Sequence, residues 1–113
     1  MVEPIRVDRD TKEKLNLLIV EKGLHKLRVK IVNITSMVVK DWIKDPVLDK
    51  EKIIKNKKIR AERVNVDLTK EEKDKLYEIY VRYYQREVNS VSALIYNIIN
   101  QYVESEFEKL KCD

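Results

Sequence analysis

The sequence predicts a mainly helical fold with two short strands, organised as two strand–helix–helix units in one chain of 113 residues. Three observations predict it. First, Arg63-Val64-Asn65-Val66-Asp67-Leu68 alternates polar and apolar residues and runs into a helix start at Thr69. In a strand, that alternation puts Val64, Val66 and Leu68 on one face and Arg63, Asn65 and Asp67 on the other. Second, the halves repeat. At an offset of 61, Ile5 meets Val66, Val7 meets Leu68, Leu15 meets Leu76 and Leu18 meets Ile79; at an offset of 56, Asn33 meets Asn89, Ser36 meets Ser92, Val38 meets Leu94 and Ile43 meets Ile99. Each unit is too small to bury a core by itself. Third, one glycine, two prolines and a charged fraction of 39% fit long helices with few turns.

In chain order, residues 2–8 read as an edge-type strand, with Ile5 and Val7 on one face and Pro4 and Arg6 on the other. Asp8 or Asp10 caps a first helix, and Gly23 occupies the left-handed position that ends it. Residues 24–32 are basic and read either as an extended connection or as an extra strand. Asn33-Ile34-Thr35-Ser36 offers caps for a second amphipathic helix through Trp42 and Ile43, which stops near Asp45-Pro46. Residues 46–62 form a basic linker, helical after Pro46 or a solvated tether; Lys50, Lys52, Lys55, Lys57, Lys58 and Arg60 make a phosphate-facing role the sharper alternative. Thr69-Lys70-Glu71-Glu72 is a capping box. The helix it opens carries Leu76, Tyr77, Ile79, Tyr80, Val81, Tyr83 and Tyr84 to about Gln85. This apolar arc is far wider than one packing face requires and predicts a second contact, most simply between subunits. Asn89-Ser90-Val91-Ser92 caps a last helix that runs on towards Leu110. The organisation expected is therefore a first unit at 1–45, the linker at 46–62, and a second unit with a helical tail at 63–113.

Charge is unevenly placed. Residues 1–61 hold 16 Lys/Arg against 9 Asp/Glu, and residues 62–113 hold 8 against 11. The first half therefore invites an anionic partner. Wealth in Lys, Glu, Ile and Val with few Gln points to a heat-adapted source. A single cysteine, Cys112, gives no intrachain disulfide, and no apolar run approaches a membrane span, so an intracellular protein without membrane contact is expected. One histidine, His25, remote in sequence from Cys112, offers no metal site, and no glycine-rich phosphate loop is present. No cofactor, metal or catalytic residue is expected, and an enzyme is excluded as the first reading.

The stretch from Arg63 to Tyr102 resembles the ribbon-helix-helix repressors: a strand Arg63-Val64-Asn65-Val66-Asp67-Leu68, a first helix of about four turns, and Asn89-Ser90-Val91-Ser92-Ala93-Leu94-Ile95, similar to that family's start of helix two. Residues 2–45 resemble it more loosely, and tandem copies in one chain resemble regulators of archaeal viruses. The resemblance implies two ribbon-helix-helix units in tandem, mainly α with short β, whose strands pair into an antiparallel β-ribbon, within one chain or between two. It implies a sequence-specific transcription regulator, a repressor in most of that family, that places the ribbon in the major groove of double-stranded DNA. Arg6, Arg63 and Asn65 are then the base-contacting candidates, since arginine bonds guanine and asparagine bonds adenine bidentately. Asn33, Thr35, Ser36, Asn89, Ser90 and Ser92 at the helix-two N-termini would clamp phosphates, with Lys26, Arg28 and Lys30 beside the first clamp. Val2 and Pro4 depart from the pattern, standing where groove-facing polar residues belong, and Asp67 places an acid on the same face. A homodimer or higher homo-oligomer is expected. The charge split makes Arg6 the expected stronger contact and the second unit the one turned to association. The rival class is a helical protein–protein interaction module, antitoxin-like or filament-forming, supported by Tyr77, Val81 and Tyr84.

Overall fold

A computed structural model describes residues 2–54 and 62–111. The fold is mainly helical, with one two-stranded antiparallel sheet and four α-helices. In order these are β1 (Val2–Val7), α1 (Arg9–Glu21), α2 (Ile31–Lys44), β2 (Glu62–Asp67), α3 (Lys70–Ile79) and α4 (Val91–Lys111). Lys55 to Arg60 and Cys112 fall outside the described residues.

β1 and β2 pair within the one chain, which decides between the two pairings open from sequence. The partners are Val2↔Asp67, Glu3↔Val66, Pro4↔Asn65, Ile5↔Val64, Arg6↔Arg63 and Val7↔Glu62. Pro4 thus pairs with Asn65, its own counterpart at the 61-residue offset, so an approximate two-fold axis passes through that pair. Ile5, Val7, Val64 and Val66 are buried beneath the sheet, as the alternation predicts. They share one core with Leu15, Leu18, Val39, Leu76, Leu94 and Ile99, drawn from all four helices. The two repeats are therefore interlocked: α2 of the first lies on β2 of the second, and α4 lies on β1.

The α2–β2 contact also closes a sheet edge. Thr35 Oγ1 donates to the Asn65 carbonyl at 2.6 Å, and the Asp67 N–H donates to Ser36 Oγ at 2.7 Å. Asn65 and Asp67 therefore turn their backbone groups away from β1. Their pairs with Pro4 and Val2 are the non-hydrogen-bonded ones of the ladder, and Pro4 costs no inter-strand bond.

Helix starts follow local chemistry. Asp8 caps α1 by accepting from the Thr11 N–H at 3.1 Å. Thr69 and Glu72 form the predicted reciprocal box at α3, at 3.1 and 2.8 Å. Ser90 Oγ accepts from the Ala93 N–H at 3.1 Å to cap α4. Gly23, with φ +69°, takes the predicted left-handed position after α1.

Four expectations are corrected. Residues 24–32 are neither strand nor extended connection: Leu24–Leu27 forms a 3₁₀ turn and α2 already begins at Ile31. Asn33 thus sits inside the first turn of α2, where its Oδ1 accepts from the Lys30 N–H at 2.8 Å. The 46–54 part of the linker is no solvated tether but a strap packed across α4, with Leu48 and Ile53 buried and one 3₁₀ turn at Lys50–Lys52. Tyr84 Oη accepts from the Leu48 N–H at 3.1 Å, Gln101 bonds both backbone groups of Asp49, and Asn97 Oδ1 accepts from the Ile54 N–H at 2.8 Å. Finally, α3 passes into a π-helical turn at Tyr80–Tyr84, whose wider turn breaks the 3.6-residue phase. Tyr84 is thereby turned into the core against Trp42, ring centroids 5.8 Å apart, and does not join an exposed stripe.

Candidate nucleic-acid interface

The sheet's outer face carries Val2, Pro4, Arg6, Arg63, Asn65 and Asp67, all exposed. The register orders them along the ribbon. Arg6 and Arg63 stand abreast at one end, Pro4 and Asn65 at the centre, Val2 and Asp67 at the other end. In a non-hydrogen-bonded pair the two Cβ atoms lie about 4.5–5.5 Å apart, and like charges placed so are destabilising. The arginine pair therefore works against the fold and presents two planar guanidinium forks, ten N–H donors in all, to solvent.

A groove of about 560 Å³ beside this end is lined by Lys12, Asn16, Lys30, Arg63 and Asn65, together with apolar residues of α1 and the start of α2. No carboxylate is among the described residues lining it. Lys12 is partly engaged by Glu62, 3.6 Å away. Lys26, Arg28 and Lys30 are all exposed on the turn leading to α2. Arg28 has φ +58°, a left-handed conformation that costs an ordinary residue roughly 1–2 kcal/mol.

The predicted site residues divide. Arg6, Arg63, Asn65 and Lys30 come together around one end of the ribbon, with Lys26 and Arg28 on the turn preceding Lys30. Asn89, Ser90 and Ser92 stand exposed at the start of α4, where Ser92 and Val91 border a smaller groove with Glu3, Lys73, Asp74 and Tyr77. Asn33 is exposed but holds the Lys30 N–H. Thr35 and Ser36 are a correction: Thr35 is fully buried, Ser36 nearly so, and both hydroxyls are committed to backbone groups of β2 and α2. They brace the ribbon instead of touching a phosphate. Arg6 and Arg63 are cross-strand partners, and of the two only Arg63 lines the lysine groove. Lys12 and Asn16 were missed. Their signal was weak: each falls on the polar side of α1, one to two turns past the Asp8 cap.

Beneath the site, Asp8 fixes the end of β1 where it turns into α1. Burial disfavours its charged form, but hydrogen bonds from Thr11 Oγ1 at 2.7 Å, Tyr96 Oη at 2.5 Å and the Thr11 N–H together outweigh it and hold the carboxyl below its ordinary value. Tyr96 belongs to α4, so this cluster ties the two repeats together under the arginine end. At the counterpart position, the Thr69 N–H bond draws the Glu72 carboxyl down, and Lys40 of α2 lies 3.9 Å from it.

No group of three metal-ligating side chains and no helix long and apolar enough to cross a membrane occurs among the described residues. No family model, no curated protein and no solved structure matches the chain.

Proposed function

We propose that the chain is a sequence-specific double-stranded DNA-binding regulator, two ribbon-helix-helix units in tandem whose intrachain β-ribbon enters the major groove. The observation that carries this reading is the Arg6–Arg63 pair, abreast on the solvent face of the sheet and beside the groove of Lys12 and Lys30. The pair opposes folding and suits an anionic, guanine-bearing surface. Arg6 and Arg63 read guanine edges and Asn65 an adenine edge. Lys12, Lys30, Lys26 and Arg28 hold flanking phosphates on the α2 side, and the α4 start, with Asn89, Ser90 and Ser92, presents amide donors on the other. The test is fluorescence anisotropy with duplexes selected from a random pool, titrated between about 50 and about 200 mM salt. The expected affinity falls steeply with salt while the preference for the selected duplex persists. Binding that is indifferent to sequence at every salt concentration overturns the reading.

A second reading, a helical interaction module, is favoured by Tyr77, Val81 and Tyr83, which stay 61%, 41% and 62% exposed along α3 and the π-helical turn. This surface is the place at which a homo-oligomer or protein partner would sit, and Tyr77 brings its edge to the groove beside Glu3 and Ser92. Light scattering with and without duplex separates the two uses.

A further inference from the structure

The outward residues related by the repeat are chemically opposite. Arg6 corresponds to Asp67, Val2 to Arg63 and Pro4 to Asn65. A ribbon made by two identical chains must show the same residues at both ends, and it reads a palindrome for that reason. One chain supplying both strands is free of this constraint, and here the register sorts the residues by charge: two arginines at one end, a valine and an aspartate at the other. The flanking grooves follow the same division. Lys12, Asn16 and Lys30 border the arginine end, whereas Glu3, Asp74 and Tyr77 line the counterpart, where Lys73 is bonded to Glu3.

We infer that this ribbon reads a non-palindromic DNA site, with every guanine-reading contact on one side of the site's centre. The inference rests on the DNA-binding reading above and adds its target. Strand rise sets the scale: Arg6 lies two residues from Pro4, roughly 7 Å along the ribbon at about 3.3 Å per residue. That is about two base pairs at about 3.4 Å each. The guanines therefore lie about two base pairs to one side of centre, and Asn65 selects adenine near the centre. On the far side Val2, 53% exposed, meets a thymine methyl, and the Asp67 carboxylate keeps phosphates at a distance.

The test starts from duplexes selected out of a random pool by the full chain and shortened until one chain binds per duplex, as judged by analytical ultracentrifugation. Guanine N7 methylation interference is then mapped, and anisotropy compares the selected duplex with two palindromes, each built from one of its halves. Interfering guanines are expected on one side only. The palindrome of the guanine-bearing half should bind within about two-fold of the selected duplex, and the palindrome of the other half should lose roughly ten- to hundred-fold. Arg63→Ala should erase preference at the guanine that Arg63 contacts and leave preference at the guanine that Arg6 contacts, and Asp67→Asn should alter preference only in the opposite half. Both positions are exposed, so circular dichroism should register no change of fold. A selected site with interfering guanines on both sides of its centre overturns this inference and leaves DNA binding standing. Failure to enrich any duplex overturns the DNA-binding reading, and the asymmetric target with it.

Discussion

The two ends of the β-ribbon occupy equivalent places in a repeated architecture and differ in nearly everything they expose. Buried positions have been kept: Ile5 and Val66, Val7 and Leu68, Leu15 and Leu76, and Leu18 and Ile79 fill the same core from two directions. Exposed positions have diverged into an arginine end and a valine–aspartate end. Even the bracing differs: Thr35 closes the β2 edge with a hydroxyl, whereas its counterpart on α4 is Val91. Packing constrains a residue from all sides, while a solvent-facing position answers only to its ligand. The apolar core is thus shared by the halves, and the largest chemical difference between them lies on the exposed face of the ribbon.

The largest effect that would sharpen this contrast is on DNA affinity. Arg6→Ala combined with Arg63→Ala should weaken binding by about a hundred-fold or more in anisotropy, and Arg63→Ala alone should cost the larger share. Changing the far end, Val2→Ala with Asp67→Asn, should stay within a few-fold. Equal losses at both ends would break the comparison.

Next in size are the two helix caps. Asp8→Ala removes a buried, charge-assisted acceptor shared by the Thr11 N–H, the Thr11 hydroxyl and the Tyr96 hydroxyl, so a loss of about 2–3 kcal/mol in denaturant unfolding is expected. Thr69→Ala at the equivalent, solvent-exposed cap should cost only about 1 kcal/mol. The Asp8 contribution also carries a pH signature. Because its folded pKa is depressed, its stabilisation is present above the unfolded value of about 3.9 and is lost as pH falls through the folded one. Wild-type thermal stability should therefore drop on acidification below about pH 4, and Asp8→Asn should show a shallower drop. The smallest effect expected is at the sheet edge, where Thr35→Val, which copies the second repeat, should cost about 1 kcal/mol by leaving the Asn65 carbonyl without its donor. A neutral result there would mean that the two edges are braced alike.

Much of the fold was legible because its signals are local. The 2-residue period of Arg63–Leu68 exposes Arg63, Asn65 and Asp67 whatever lies beneath, and Thr69, Glu72, Ser90 and Gly23 act on backbone groups a few residues away. The start of α2 misled for a related reason. Asn33, Thr35 and Ser36 have cap chemistry, but Asn33 satisfies Lys30 from inside the helix, and the two hydroxyls find β2, some thirty residues along the chain. The strap at 46–54 looks like a charged tether because its lysines are conspicuous. Only the contacts of Leu48 with Tyr84 and of Ile54 with Asn97 reveal that it is packed. The π-helical turn that buries Tyr84 leaves no mark in a 100° periodicity.

By itself the sequence determined the alternating strands, the starts of α1, α3 and α4 and the repeat, because the strands and caps depend on neighbours along the chain and the repeat on residue identity alone. Tertiary structure alone decided that the strands pair within one chain, in a register that sets Arg6 against Arg63 and Pro4 against Asn65. Register is a property of two segments some sixty residues apart, fixed when both apolar faces must cover the same core, and no local pattern encodes it.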